Sequence, residues 1–536
     1  MANRWSSVTA FFAALVLYGT FVALLEATLG VFYETNDDVG TMMYAHGFGL
    51  GQEPSPILLF SNIWLGRLVL LIGTPFDRYG YGLFLVGAQM IAMAAIGAAL
   101  GRLNGHSWLS IVLTGIIGLR GLMMPQFTVV AGFLGIAAVV LTLVYARDRS
   151  VALLVAAASL AFLGLLIRPE MLALVLLGSL PLLLRWTLLR SKAAWVAGVV
   201  LVAMYGVASF DHTRALAAPE WRDFRELNLL RGAITDFGVG AQLIANPEAQ
   251  RAGGLSANDS ALLANWWFLD PAITSPAALR AAIAVVGQQS WFFLDDKRLA
   301  ALWTDLSQLD MAAALGLAGC LFFLMRPERA RWLWAALIMG MAVVAITAAG
   351  RTGVVRVVFP LVALLARAAF ADMRNGRKVL WGAVATAMFA GAVTLATLGR
   401  VAYQRAAIAN AASEALSQLA PERVHLVWGS LLPFEALYRP LQNRNSMPPH
   451  RFFGIGTHQR SPLALAHFGG RIENLFAAYR SDEGLSYLTS PNFKPLLAIH
   501  CSERLKGNLD ARDTRSGLGI FSETYTCLGR DSSSPE

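Results

Sequence analysis

The stretch Glu34-Thr35-Asn36-Asp37-Asp38 sets two adjacent carboxylates beside a third, with His46 eight residues after the pair. Adjacent carboxylates repel and raise one another's pKa, which suits a general base poised near neutrality. Two plainer readings stand beside that one: an acidic cap on a helix starting near Thr41, and a turn or metal-binding pair. His46 either assists the pair or caps a helix. The other groups fit for chemistry are scattered along the chain, as Glu26, Arg120, Arg168, Glu170, Arg351 and Arg356. Guanidiniums grip phosphate through paired, charge-assisted hydrogen bonds. Other chemistries lack their signatures: there is no P-loop, no GxGxxG after a strand, no GxSxG elbow and no HExxH. His425, His450, His458, His467 and His500 show no zinc spacing and read as surface or core histidines.

The elements that position these groups follow from composition. Of 536 residues, 56% are hydrophobic and only 14% charged, which excludes an ordinary soluble protein. Twelve apolar runs lie near 8–30, 57–73, 81–100, 107–124, 127–145, 151–167, 171–184, 193–209, 310–325, 332–349, 354–370 and 379–399. Clusters of Arg and Lys near 147–149, 185–192, 326–331 and 374–378 mark cytoplasmic loops. For these clusters to share that side, one run must fail to cross. The run 57–73, which carries Asn62 and Arg67, reads as interfacial or re-entrant. Eleven crossings then put the N-terminus inside.

On this topology the loop 31–80, the turns at Pro125-Gln126 and Arg168-Pro169-Glu170, the loop 210–309, the turn around Arg351 and the tail 400–536 face outward. The expected fold is an all-α polytopic membrane domain over 1–399, with about eleven transmembrane helices plus interfacial helices, followed by a periplasmic α/β domain over 400–536. In the tail, apolar runs at Val424–Val427, Phe452–Ile455 and Leu518–Phe521 alternate with helix-like stretches around 433–440, 472–480 and 493–504. Trp266-Trp267-Phe268 and Trp291-Phe292-Phe293 read as interfacial anchors or as packing inside a folded loop. Cys501 and Cys527 share the tail, where an oxidising periplasm permits a disulfide; two unpaired buried thiols are the alternative. Cys320, in mid-span, reads as a buried free thiol. The net charge of +9 sits mainly at span ends and forms no basic stripe with interleaved aromatics, so nucleic acid is not a partner. The Arg- and Ala-rich composition points to a bacterial source and hence to the inner (cytoplasmic) membrane.

Topology therefore draws Glu26, Glu34, Asp37, Asp38, Arg120, Arg168, Glu170, Arg351 and Arg356 to one membrane face. Charged groups at lipid depth are costly, and their convergence points to a cavity at the outer boundary rather than to solvated helix ends. An acidic pair after the first span, interfacial helices, a many-span body and a folded outward tail together resemble the GT-C superfamily of polyprenyl-phosphate-dependent membrane glycosyltransferases. The seven spans before the loop 210–309 resemble that superfamily's shared module, and GRTGVVRVVFP over 350–360 resembles the entry to a late span in several members.

The resemblance implies a polyprenyl-phosphate sugar donor, an envelope glycan, lipid or protein acceptor, and an inverting transfer. By it, Asp37 or Asp38 is the catalytic base, with Asp38 favoured because it lies nearer the predicted interfacial helix. Arg168, Arg351 and Arg356 bind the donor phosphate, supported by Glu34, His46, Arg120 and Glu170. Several members carry a second acidic residue in the next outward turn. Here that turn is Pro125-Gln126-Phe127, so no cofactor is implied with certainty and a divalent metal is not indicated. Rival readings are an O-antigen polymerase or ligase, a lipid or glycan transporter or flippase, and an accessory scaffold. A transporter would need polar mid-depth groups and an internal repeat, which the smooth spans lack.

Overall fold

The computed structural model describes residues 7–73, 78–287, 294–323, 329–351, 355–371, 377–517 and 520–529. Trp291-Phe292-Phe293, part of the cytoplasmic clusters near 326–331 and 374–378, and residues 352–354 of the GRTGVVRVVFP stretch lie outside them. The chain is mostly helical. Its membrane body comprises α1 (Ser7–Thr28), a short α2 (Asn36–His46) and α3 (Ile63–Gly73), then α4 (Gly80–Asn104), α5 (Ser107–Met123), α6 (Phe127–Asp148), α7 (Val151–Ile167), α8 (Pro169–Leu183) and α9 (Lys192–Ala215). After the loop helices, led by α10 (Pro219–Asp236), come α11 (Asp296–Leu306), α12 (Leu309–Phe323), α13 (Arg329–Ala348), α14 (Val355–Ala371) and α15 (Arg377–Leu416).

Among the described residues, six helices are long and apolar enough to cross a membrane: most of α1, α4, α6, α9 and α13, and α15 from Trp381. The other five predicted spans are occupied by α5, α7, α8, α12 and α14, which are 15 to 17 residues long. The run 57–73 forms only the 11-residue α3. At 1.5 Å per residue it reaches about half of a ~30 Å hydrocarbon core. Helices α11 and α12 meet at 76°, a bend that joins an amphipathic helix to an apolar one.

Burial orders the bundle. In α6, 89% of the most apolar window is buried, against 6% in α9, so α6 is the central post and α9 has its apolar surface turned to lipid. Two glycines let neighbours approach α6 closely: a Cβ on Gly132 would lie 2.5 Å from Pro360 of α14, and one on Gly135 2.8 Å from Leu172 of α8. Cys320, expected to be buried, is exposed on α12. A thiol on the lipid-facing side of a span needs no packed pocket.

The tail holds a five-stranded mixed sheet in the order β2-β1-β3-β5-β4. Its strands are β1 (Val424–Trp428), β2 (Arg451–Ile455), β3 (Leu485–Leu488), β4 (Gly507–Gly517) and β5 (Ile520–Gly529). Strand β1 pairs in parallel with β2 and β3, whereas β5 pairs antiparallel with β3 and β4. Helices α16 (Ile472–Arg480) and α17 (Lys494–Leu505) complete the α/β unit, and a disulfide between Cys501 and Cys527 ties α17 to β5. No break separates this unit from the bundle at 399–400, because α15 runs unbroken for 40 residues across that position.

The loop between α9 and α11 folds against the tail. Trp267 and Phe268, read above as anchors for the interface or for packing, are each 1% exposed, and Trp267 packs edge-on against Phe476 and His500. They are core residues of the loop and tail, so the anchoring reading fails for them. The first loop is similarly enclosed: Phe452 N–H donates to Gly49 O at 2.9 Å, and Tyr44 stacks on His458 at 4.6 Å.

Candidate active site

Both carboxylates of the acidic pair lie in the first turn of α2, which starts at Asn36 rather than near Thr41. Acidic side chains there face the positive end of the helix dipole. Neighbours on a helix point about 100° apart, and here that separates two environments.

Asp38 points inward and is fully buried. Its Oδ1 accepts from Phe127 N–H at 3.0 Å and Tyr81 O–H at 3.1 Å, and its Oδ2 accepts from Thr35 O–H at 2.8 Å. Gln126 Oε1 accepts from the next two amides, those of Thr128 and Val129. Asp38 and Gln126 thus cap α6 between them, answering the amides that a helix start leaves unpaired. Asp38, favoured above as the base, is thus sealed behind α6 with both carboxylate oxygens hydrogen-bonded within the protein.

Burial, the largest cause, and the charge of Asp37 push the Asp38 carboxyl up to about 7, against the lowering effect of its three hydrogen bonds. Between about pH 4 and 7 the folded protein therefore holds a proton that the unfolded chain has released, and stability falls as pH rises through that window. Asp38→Asn is expected to keep the fold and flatten this slope, as read from melting temperature against pH. Asp38→Ala orphans the buried Phe127 amide and Tyr81 hydroxyl and the part-buried Thr35 hydroxyl, and should cost about 3 kcal/mol, seen as a lowered melting temperature at every pH.

Asp37 points the other way, with 35% of its side chain exposed. Its Oδ2 lies 3.3 Å from Arg356 Nη1 at the start of α14. Arg168, in the turn between α7 and α8, contacts Glu170 at 3.2 Å and lies over the stacked rings of Phe60 and Phe127 at 5.6 and 5.7 Å. Pro169 at the first position of α8 fixes this turn. Burial above all, together with Arg351 and Arg356, lowers the Arg168 pKa from its ordinary value, while Glu170 and Asp37 oppose the shift. Arg351 Nη2 lies 3.5 Å from Asp236 at the end of α10, with its guanidinium over Phe237 at 5.2 Å. Arg351, Arg356 and Asp37 all act electrostatically on Arg168, which gathers the four into one cluster.

The remaining predicted residues stand apart from it. Glu34, Arg120 and Asp310 form a buried ion triad joining the first loop to α5 and α12, with Arg120 Nη2 at 2.9 Å from Glu34 and Arg120 Nη1 against Asp310. The triad and Arg405 line a cavity of about 530 Å³ that Arg356 also borders. Arg405 donates to the backbone oxygens of Tyr33 and Glu34, holding α15 against the acidic loop. His46 accepts from Tyr81 N–H at 3.3 Å, and burial followed by Arg444 lowers its pKa to about 4. It stays neutral and braces α2 against α4. Glu26 pairs with Arg439 of the tail at 3.4 Å.

Arg231 is the cluster residue that sequence reasoning missed. It sits in α10 at 6% exposure, with Asp236 Oδ2 at 3.8 Å and the Trp266 ring 4.8 Å away. Burial lowers its pKa most, Arg351 adds to this, and Asp236 and Asp37 oppose it. Asp236 thus bridges Arg231 and Arg351. Nothing in the local pattern of α10 marks Arg231, because Asp37 and Arg351, which link it to the cluster, come from the first loop and from the turn before α14. The described residues hold no group of three or more His, Cys, Asp or Glu side chains arranged to bind a metal.

No protein-family model matches the chain, and no curated protein matches it. Among solved structures, the chain is similar to the crystal structure of ArnT from Cupriavidus metallidurans in the apo state, with 14% identity, a TM-score of 0.45, and coverage of 97% of this chain and 98% of that one.

Proposed function

We propose that the chain is an integral-membrane glycosyltransferase that moves a sugar from a polyprenyl-phosphate donor to a hydroxyl of an envelope glycan, lipid or protein. Asp37 is the general base, and Arg168, Arg351 and Arg356 hold the donor phosphate. The observation that carries this reading is the pairing of a partly exposed carboxylate with a guanidinium 319 residues away, beside further arginines. A cluster rich in guanidiniums at the end of apolar helices suits an anionic lipid headgroup, and a carboxylate within it suits proton abstraction.

In this reaction Asp37 takes the acceptor hydroxyl proton as the oxygen forms its bond to the anomeric carbon. The bond from that carbon to the phosphate oxygen breaks, and its electron pair leaves with the polyprenyl phosphate. The added negative charge falls among the guanidiniums, so no proton donor is needed on the leaving side. A single displacement inverts the anomeric centre. Arg356 serves both halves, pairing with Asp37 on one side and facing the cavity of about 530 Å³ on the other. In this reading the site and the tail face the periplasm from a bacterial inner membrane.

The test is mass spectrometry of envelope glycans from a deletion strain complemented with wild type or Asp37→Asn. A defined sugar should disappear on deletion and return only with wild type; restoration by Asp37→Asn would refute the assignment.

A further inference from the structure

Trp266 has φ +70°, in the left-handed region that a bulky side chain rarely enters. Such a conformation persists only where the surroundings over-determine it, and here they do. Gln459 of the tail, 2% exposed, donates from Nε2 to Trp266 O at 2.7 Å and accepts Phe268 N–H on Oε1 at 3.0 Å. Trp428 of β1 donates from Nε1 to Asn265 O at 2.6 Å. The tail therefore clamps the backbone on both sides of Trp266. With the next two aromatics sunk in the core, the left-handed turn leaves the Trp266 indole half-buried, with the Arg231 guanidinium 4.8 Å from its ring centroid.

Arg231 is also tied to its own helix by hydrogen bonds. Its Nε donates to Asn228 Oδ1 at 2.8 Å and its Nη1 to Thr235 Oγ1 at 3.0 Å, which commits two of five N–H groups. Among the described residues, its Nη2 makes the long 3.8 Å contact with Asp236, whose carboxylate is shared with Arg351. This guanidinium lies within the electrostatic reach of Asp37 and Arg351, and such a planar fork suits an anion.

We infer that Trp266 is a positioning residue: it fixes Arg231 as a fourth cation of the phosphate-binding cluster, so that the loop 210–309 and the tail complete the donor site together. This rests on the donor-phosphate reading given above. On it, the tail contributes to binding through the Gln459 clamp.

The test uses full-length protein in nanodiscs and equilibrium binding of radiolabelled undecaprenyl phosphate. Glycine accepts φ +70° without strain, so Trp266→Gly should fold, yet bind the lipid phosphate about ten-fold more weakly for loss of a shielded cation–π contact. Trp266→Tyr, which keeps a ring face, should recover most of the affinity. Arg231→Gln should lose at least as much as Trp266→Gly, and the double variant should bind no more weakly than Arg231→Gln alone, since the two act as one unit. Trp266→Asn, whose side chain tolerates the left-handed region, provides the same measurement should the glycine variant fail to fold. Wild-type affinity in either Trp266 deletion, or additive losses in the double variant, would overturn the assignment while leaving the donor reading intact. A wild-type protein that binds no undecaprenyl phosphate would refute the donor reading, and this inference with it.

Discussion

Asp37→Asn is expected to lower sugar transfer by about 10²- to 10⁴-fold, the usual worth of a positioned general base, with expression and melting temperature unchanged. Asp38→Asn, one residue on, should keep transfer within a few-fold of wild type. The contrast follows from position alone. Asp37 is 35% exposed and faces Arg356, whereas Asp38 is sealed and bonded to Phe127, Tyr81 and Thr35. Asparagine at 38 retains an oxygen for the Phe127 amide and the Tyr81 hydroxyl, and the Thr35 hydroxyl can turn to accept from the new amide. Initial rates of purified variants in nanodiscs check this pair. Equal losses in both variants would mean that the cap on α6, rather than proton transfer, explains the defect.

The second large effect is expected at Arg356. Arg356→Ala removes the partner of Asp37 and one cation of the cluster, so the apparent donor KM should rise about 10²-fold, the size of a lost charge-assisted hydrogen bond of ~2–3 kcal/mol. The rate constant kcat should fall as well, because Asp37 loses the group that orients it. Acceptor KM should move less. Arg356→Lys keeps the charge without the planar fork and should fall between. Steady-state kinetics with donor and acceptor varied separately check this, and an unchanged donor KM in Arg356→Ala would place the phosphate elsewhere.

The membrane body was legible because lipid imposes a simple demand, a run of about 20 apolar residues for each crossing. Helices lie on every apolar run, with α3 covering 63–73 of the run 57–73. In the tail, β1 and β2 were visible as apolar runs, whereas β4 was not. Its sequence, GNLDARDTRSG, is charged because it is an edge strand paired only with β5. Its half-buried pattern is reduced to Leu509 and Ala511 alternating with Asn508, Asp510 and Arg512.

The site divides along the same line. Asp37, Arg168, Arg351 and Arg356 could be named in advance because charge at the ends of apolar helices is conspicuous against its surroundings. Which of Asp37 and Asp38 is the more exposed could not, since it depends on where α2 begins and on the amide of Phe127, 89 residues away. Arg231, Trp266 and Asp236 were hidden for a related reason. They belong to a polar loop in which charge is ordinary, and only the packing of that loop on the tail turns them toward the cluster. Glu34 and Arg120 show the converse, being conspicuous in sequence yet spent on a buried ion triad with Asp310.

The role of Asp37 is decided by single-turnover release of polyprenyl phosphate from a polyprenyl-phosphate sugar donor, with wild type, Asp37→Asn and Asp38→Asn each reconstituted in nanodiscs with envelope acceptor. Wild type and Asp38→Asn should release the lipid phosphate rapidly, and Asp37→Asn should release almost none. Release by Asp37→Asn at the wild-type rate, with Asp38→Asn inactive though folded, would contradict that role.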